Sequence, residues 1–94
     1  DSAITVVVAE KGYPKNPKSG CELNDIVNTK YANGLKIFHA GTYFENNFLR
    51  NSGGRIFSFT ARSTNLHKAR EIVYKQLNKI ENENIFYRTD IGSD

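Results

Sequence analysis

The residues best suited to chemistry lie in segment 51–61, where a glycine turn leads into an arginine and then into an alternating strand. Gly53 and Gly54 carry no Cβ, so the backbone there can turn tightly or let a ligand approach closely. Arg55 follows at the first residue of the strand, and its planar guanidinium suits bidentate recognition of a phosphate or a carboxylate. The same pattern is also typical of an ordinary hairpin turn beside a solvated arginine, so the residues alone leave both interpretations open.

A second group of candidate ligands lies in the loop over residues 10–20, where two prolines and two glycines prevent a regular element. The loop follows the carboxyl end of a predicted strand and is basic, because it contains Lys11, Lys15 and Lys18. It is either a flexible flap over an anionic ligand or a solvated connector, and its composition favours neither. His39, at the end of another predicted strand, is either a ligand or a hydrogen-bonded structural residue.

The elements that must position these residues predict an α+β fold with a mostly antiparallel sheet. Residues 3–9 are β-branched and almost continuously apolar, which predicts a strand near the centre of the sheet, buried on both faces. Residues 35–40 and 55–61 alternate between apolar and polar, as half-buried strands do. Three further stretches predict a hairpin around an asparagine turn, a weak edge strand and a short last strand. They are 43–50, 21–27 and 85–88.

One amphipathic helix is predicted near residues 65–80. Asn65 is a suitable N-cap for it. Apolar residues then recur at three- and four-residue spacing and form one stripe, which we expect to cover one face of the sheet. The stripe consists of Leu66, Ala69, Val73, Leu77 and Ile80.

The composition bounds the function classes. Ninety-four residues make one small domain, 1–94. Thirteen basic and ten acidic residues are interspersed and give a net charge of +3, which favours an anionic small ligand or simple solubility over a nucleic-acid surface. The single cysteine, Cys21, excludes an internal disulfide and a multi-cysteine metal site and fits a reducing compartment. No apolar run approaches the roughly 18 residues of a membrane span. We therefore expect a cytoplasmic protein with no membrane or nucleic-acid partner.

Four ordered motifs resemble one known family over nearly the whole chain. They are Val-Val-Val-Ala-Glu-Lys-Gly-Tyr-Pro at 6–14, Phe-His-Ala-Gly-Thr at 38–42, Ser-Gly-Gly-Arg at 52–55 followed by Thr60-Ala61, and Phe-Tyr-Arg-Thr-Asp-Ile-Gly at 86–92. Together they resemble the C-terminal domain of phosphoribosylamine–glycine ligase, or glycinamide ribonucleotide synthetase, of the ATP-grasp superfamily. One departure is Asn51, which stands where that family often has threonine.

The resemblance implies a fold and an activity that composition does not show. The fold is a barrel-sandwich-hybrid remnant, a rudimentary single hybrid motif, with one helix. The full-length enzyme uses ATP and Mg²⁺ (or Mn²⁺) to join glycine to 5-phosphoribosylamine in de novo purine synthesis. The ATP and metal ligands belong to grasp domains outside this chain. This domain packs on those domains and closes one side of the active-site cleft. It carries no catalytic residue or metal ligand and is not expected to be catalytic alone.

The resemblance also implies which residues face the phosphosugar. Arg55 is the expected phosphate clamp, and the glycines before it offer backbone N–H groups. The other expected substrate-binding residues are Gly53, Gly54, Lys11, Gly12, Tyr13, His39 and Gly41. The competing interpretation is that these motifs pack the domain onto the grasp domain.

Two further hypotheses lie outside this assignment. One is the equivalent domain of another ATP-grasp enzyme, such as a biotin-dependent carboxylase, although the Lys-Gly-Tyr-Pro and Tyr-Arg-Thr-Asp-Ile-Gly motifs argue against it. The other is a stand-alone basic nucleic-acid-binding β module, which would place aromatic side chains on an open sheet face. Here the aromatic residues fall mostly in phase with aliphatic ones, so we expect them in the core.

Overall fold

The computed structural model describes residues 1–16 and 18–91 as a four-stranded sheet, a two-stranded hairpin and two helices. The elements are β1 (Ser2–Glu10), α1 (Asn24–Asn28), β2 (Leu35–His39), β3 (Thr42–Glu45), β4 (Phe48–Asn51), β5 (Arg55–Ser63), α2 (Leu66–Leu77) and β6 (Ile85–Phe86). The larger sheet has the order β2-β5-β1-β6, and every pair in it is antiparallel. The predicted α+β class is therefore confirmed. Pro17 of the predicted loop and Gly92 of the fourth motif lie outside the described residues.

Strand β1 lies between β5 and β6, as predicted, but it is not buried on both faces. Val6 and Val8 are 1% and 0% exposed, whereas Val7 between them is 37% exposed. The alternation arises because helix α2 packs on one face of the sheet only, and the side chains on the other face meet solvent. The expectation of burial on both faces was wrong for the domain by itself.

A β-bulge bends strand β5 where it begins. The register between β1 and β5 shifts so that Phe57 and Arg55 have partners on β1 and Ile56 between them has none. The Ile56 carbonyl instead accepts the N–H groups of Ala40, at 2.8 Å, and Gly41, at 3.3 Å. The extra residue lets Ile56 and Phe57 both lie in the core although they are adjacent. It also turns the chain at the point where the glycine turn meets the sheet.

Helix α2 begins as predicted and ends earlier. The Asn65 side chain accepts the N–H of Lys68 at 2.9 Å, which is the expected N-cap bond. The helix ends at Leu77 rather than near residue 80. Neither helix in the described part of the chain is long and apolar enough to cross a bilayer.

The apolar stripe of α2 is only partly as predicted. Ala69, Val73 and Leu77 are fully buried against the sheet, but Leu66 is 44% exposed because it precedes the part of the helix that the sheet covers. Gln76 is buried in the stripe, a position that the apolar spacing did not indicate. Its Oε1 accepts the N–H of Ala32 at 2.9 Å, so its burial is compensated by a hydrogen bond to the loop before β2.

Residues 21–27 do not form the predicted edge strand. Only Glu22 makes an isolated bridge, and the chain then enters helix α1. Leu23 and Ile26 are both fully buried, and their three-residue spacing is helical rather than extended. The Asn24 side chain accepts the N–H of Leu49 at 2.7 Å and ties α1 to β4.

Strands β3 and β4 form the predicted hairpin. Asn46 and Asn47 occupy its turn with φ values of 51° and 70°. Positive φ at both central residues is the geometry that asparagine tolerates in tight hairpins.

The aromatic residues are less buried than predicted. Phe57 and Phe59 are core residues, but six of the eleven tyrosines and phenylalanines are exposed. They are Tyr13, Phe38, Tyr43, Phe44, Phe48 and Phe86. The expectation that the aromatic residues lie mostly in the core was wrong, because nothing in the described part of the chain covers the open face of the sheet or the hairpin.

Replacing Phe59 by alanine should destabilise the 94-residue chain by about 3–5 kcal/mol, because the ring is fully buried and packs edge-on against Tyr31. Phe44→Ala is the matched control, since that ring is 74% exposed, and it should change stability by less than about 0.5 kcal/mol. Urea unfolding of both variants measures the difference. Equal losses would contradict the assignment of the core.

Candidate functional site

Three turns meet at one end of the four-stranded sheet, where β1 and β2 end and β5 begins. They comprise residues 10–16, 40–42 and 51–55. The Glu10 N–H donates to the Gly54 carbonyl at 2.6 Å, which joins the first turn to the third. The Ser52 N–H donates to the Gly41 carbonyl at 2.9 Å, which joins the third to the second. We call this assembly the three-turn site.

Two glycines allow the turns to pack this closely. A Cβ at Gly54 would overlap the Tyr13 ring, and a Cβ at Gly41 would lie 2.6 Å from the Arg55 carbonyl oxygen. Glycine is therefore a steric requirement at both positions. At Gly53 a Cβ would meet nothing within 4 Å, so that position has room.

The buried Glu10 side chain stabilises the first turn by hydrogen bonds to the loop backbone. The residue is 3% exposed, and its Oε1 accepts the N–H groups of Gly12 at 2.9 Å and Lys18 at 2.6 Å. Burial raises the pKa of the Glu10 carboxyl. The backbone N–H groups of Lys18, Gly12 and Lys11, together with the Lys18 charge, lower the pKa by more than burial raises it, so the net pKa is below its usual range. The carboxylate is thus ionised at neutral pH and holds the loop by charge-assisted hydrogen bonds.

Asn51 fastens the same loop to the glycine turn. Its side chain is fully buried, and its Oδ1 accepts the N–H of Cys21 at 2.7 Å. Its Nδ2 donates to the carbonyls of Lys18, at 2.6 Å, and Gly53, at 2.9 Å. Together with the hydrogen bonds of Glu10, these bonds hold the loop in one position. They argue against the flexible flap that the sequence analysis considered.

The glycine turn leaves several hydrogen-bond donors open. Arg55 is exposed, and its guanidinium makes no hydrogen bond or ion pair with any residue that the structure describes. Within the same residues, the N–H groups of Gly53 and Gly54 donate no hydrogen bond. A guanidinium beside two free backbone N–H groups is an arrangement that suits an anion.

His39 is oriented by its neighbours. Its Nδ1 lies 2.9 Å from the Thr42 Oγ1, and its ring packs edge-on against Phe57 with centroids 5.1 Å apart. The side chain remains exposed at the edge of the second turn. These contacts agree with the structural interpretation of His39 and fix the direction of its ring.

Lys11 lies apart from Arg55 and His39. It lines a separate cleft of about 270 Å³, and neither Arg55 nor His39 lines that cleft. The other lining residues are Glu10, Gly12, Asn16, Lys18 and Asn84. The structure therefore brings the predicted residues of the three turns together, with His39 beside them, and Lys11 shares with Gly12 a cleft that Arg55 and His39 do not line. The residues brought together are Gly12, Tyr13, Gly41, Gly53, Gly54 and Arg55.

Sequence reasoning missed the two residues that build the site. Glu10 and Asn51 are almost completely buried, so they do not stand out as ligands. Each nevertheless lies at the end of a strand, at the point where a glycine-containing loop begins. A polar residue at such a junction is a signal for a buried side chain that bonds to loop backbone.

Comparison with known proteins gives one family. The family model described as phosphoribosylglycinamide synthetase, C domain, matches residues 3–94. The chain is 38% identical over 92 residues to the phosphoribosylamine–glycine ligase of Brucella melitensis, covering 98% of this chain and 22% of that protein. It is 40% identical over 91 residues to the phosphoribosylamine–glycine ligase of Caldanaerobacter subterraneus, covering 97% of this chain and 21% of that protein. The trifunctional purine biosynthetic protein adenosine-3 of Homo sapiens is 41% identical over 91 residues, covering 97% of this chain and 9% of that protein. The chain thus spans about a fifth of the length of the ligases it matches.

Gly54→Ala should destabilise the chain by roughly 1–3 kcal/mol, because the new Cβ forces the Tyr13 ring out of its place. Gly53→Ala, one residue away with open space, should change stability by less than about 0.5 kcal/mol. Thermal unfolding measures the difference, and the NMR resonances of the Tyr13 ring should shift in the first variant only. Two variants with the same behaviour would contradict the packing of Tyr13 on the glycine turn.

Glu10→Gln should lower the free energy of unfolding by about 1–2 kcal/mol at pH 7, because neutral hydrogen bonds replace charge-assisted ones. The folded-state pKa of Glu10 is depressed, so its contribution is present above the unfolded pKa of about 4.3 and is lost as pH falls through the folded value. Denaturant unfolding should therefore show that the difference in free energy of unfolding between wild type and Glu10→Gln decreases as the pH falls. Glu81 is exposed and serves as the control, since Glu81→Gln should produce no comparable difference in the free energy of unfolding. A difference between wild type and Glu10→Gln that stays constant from pH 7 to pH 3 would contradict this account.

Proposed function

This chain belongs to the family of phosphoribosylglycinamide synthetase C domains, and on that premise we propose that it is the C-terminal domain of a full-length phosphoribosylamine–glycine ligase. That enzyme joins glycine to 5-phosphoribosylamine at the expense of ATP and gives glycinamide ribonucleotide in de novo purine synthesis. The domain closes one side of the active-site cleft and helps to bind the phosphosugar. The reacting groups are held by the remaining four fifths of the ligase, so the 94 residues alone are not catalytic.

The open donors of the glycine turn carry this proposal. The phosphate of the phosphosugar has several acceptor oxygens and at least one full negative charge. The Arg55 guanidinium and the N–H groups of Gly53 and Gly54 have no acceptor within the described residues. Charge-assisted hydrogen bonds between these groups would satisfy both partners at once.

Rigidity of the turn supports the same role. The Gly53 carbonyl accepts a hydrogen bond from the Asn51 side chain, and the Gly54 carbonyl accepts one from the Glu10 N–H. The Ser52 N–H in turn donates to the Gly41 carbonyl. A turn already held in shape loses little conformational entropy when a ligand binds, so more of the contact energy appears as affinity.

The neighbouring predicted residues take secondary parts in the proposal. The Tyr13 ring, 38% exposed and stacked over Gly54, forms a wall beside the phosphate position on which the ribose would lie. His39 and Gly41 continue that wall along the second turn. Lys11 lines its own cleft, so its contribution is the long-range attraction of a cation near an anionic substrate.

ATP, glycine and Mg²⁺ (or Mn²⁺) are assigned to the grasp domains of the full-length enzyme. Within residues 1–16 and 18–91 no three His, Cys, Asp or Glu side chains converge in a way that could hold a metal ion. A cytoplasmic location is proposed with the function, as is usual for soluble enzymes of purine synthesis.

Arg55→Ala in the full-length ligase should raise the KM for phosphoribosylamine tenfold to a hundredfold, since a charge-assisted contact to phosphate is worth roughly 1.5–3 kcal/mol. The KM values for ATP and glycine should stay nearly unchanged. Arg62→Ala is the matched control, because Arg62 is an exposed arginine on the same strand, distant from the turn. Steady-state kinetics with each substrate varied in turn gives all three constants.

The proposal fails if Arg55→Ala weakens ATP or glycine usage as much as phosphoribosylamine usage. It also fails if the Arg62→Ala control shows the same rise. Arg55→Lys adds a graded test, because a lysine keeps the charge but loses the bidentate geometry and should fall between wild type and alanine.

A further inference from the structure

One edge of strand β1 has no strand partner in the part of the chain that the structure describes. Strand β6 pairs with β1 only at Ala9 and Glu10. Beyond Phe86 the chain leaves the sheet, so the β1 edge from Ser2 to Val8 stays open on that side. Free strand edges are templates for pairing with another segment, and proteins usually cover or block them.

Helix α2 is the reason that the last segment leaves the sheet. Arg70 donates from Nε to the Ile91 carbonyl at 3.1 Å and from Nη2 to the Thr89 carbonyl at 2.8 Å. The Tyr74 hydroxyl donates to the Arg88 carbonyl at 2.6 Å and accepts the Ile91 N–H at 3.2 Å. These four bonds hold residues 87–91 against the helix and prevent them from extending β6 along β1.

A groove of about 230 Å³ remains between the open edge and this held segment. Its walls are mostly apolar, and Val7, Tyr13 and Phe86 are each more than a third exposed along it. Thr5, Arg88 and Ile91 complete the main lining. Arg88 is already paired with Asp90 at 2.7 Å, so the groove offers apolar surface rather than an unpaired charge.

The backbone along the open edge faces the groove. The Glu10 N–H points to β5, where it donates to Gly54, and the Lys11 N–H points to the β6 side, where it donates to Asn84. Because N–H directions alternate along a strand, the N–H and C=O groups of Thr5 and Val7 point to the open side. Those of Ile4 and Val6 point to β5.

We propose that an extended segment of the ligase's own polypeptide, from outside these 94 residues, adds to the Thr5–Val7 edge as a further strand and places an apolar side chain in the groove. The matched ligases are about five times as long as this chain, so under the proposed function the full-length ligase would supply a covalently linked segment of ample length. Strand addition supplies backbone hydrogen bonds along the edge, and the groove selects the side chain.

The groove and the three-turn site share Tyr13, which lies over Gly54 and also forms one wall of the groove. The added segment would therefore also contact Tyr13. The inference rests on the proposed function only in requiring a full-length ligase, and it does not depend on the role of Arg55.

Hydrogen exchange of the full-length ligase at residue resolution tests this proposal. The amides of Thr5 and Val7 should exchange at least about a hundredfold more slowly than free amides, as the inward amides of Ile4 and Val6 do. Fast exchange at Thr5 and Val7 beside slow exchange at Ile4 and Val6 would overturn it. Slow exchange that disappears on dilution would also overturn it, because a second copy of the protein would then be the partner.

A pair of variants at Val7 separates strand addition from simple burial. Val7→Pro removes the outward N–H and leaves the ladder to β5 intact, so Thr5 should lose its protection while Ile4 and Val6 keep theirs. Val7→Thr retains the N–H and a similar shape, and should leave Thr5 protected. Undiminished protection of Thr5 in Val7→Pro would contradict strand addition.

The Arg55→Ala variant separates this proposal from the phosphate role of Arg55. It should leave the exchange pattern unchanged, so a failure of strand addition and a failure of the phosphate role are distinguishable.

Discussion

The hydrogen bonds of the buried Asn51 side chain hold the glycine turn in the shape on which the proposed phosphate site depends. One amide group bonds to the backbone of Cys21, Lys18 and Gly53, and so joins the start of the glycine turn to the end of the basic loop. A buried amide is costly unless its hydrogen bonds are made, and here both ends of the group are satisfied. The turn is therefore held by Asn51, while the N–H groups of Gly53 and Gly54 donate no hydrogen bond within the described residues.

Glu10 performs the matching task at the other end of the loop. Its Oε1 accepts the N–H groups of Gly12 and Lys18, which stabilise the charged form and lower its pKa although burial raises it. The close contact between Tyr13 and Gly54 then follows, since the loop and the glycine turn are each held from inside. The three turns are thus tied to one another by backbone and side-chain hydrogen bonds at one end of the sheet.

The sequence predicted the α+β class, the hairpin, the helix start and the glycine turns, because these depend on local pattern and turn chemistry. It did not predict that Val7 and six aromatic rings would be exposed, since an apolar residue looks the same whether its cover lies in this domain or in another. It also missed α1, where Leu23 and Ile26 follow helical spacing within too short a window to recognise. Glu10 and Asn51 went unrecognised because their partners are backbone groups up to 33 residues away in the chain.

A crystal structure of the full-length ligase with bound glycinamide ribonucleotide would test the central claim most directly. The account predicts phosphate oxygens at about 2.9 Å from the Gly53 and Gly54 nitrogens and a bidentate contact with the Arg55 guanidinium. The turn itself should keep the hydrogen bonds of Asn51 seen here. A phosphate bound elsewhere, with the Gly53–Arg55 donors occupied by carbonyl or carboxylate groups of the grasp domain, would contradict the account and identify the turn as a packing surface.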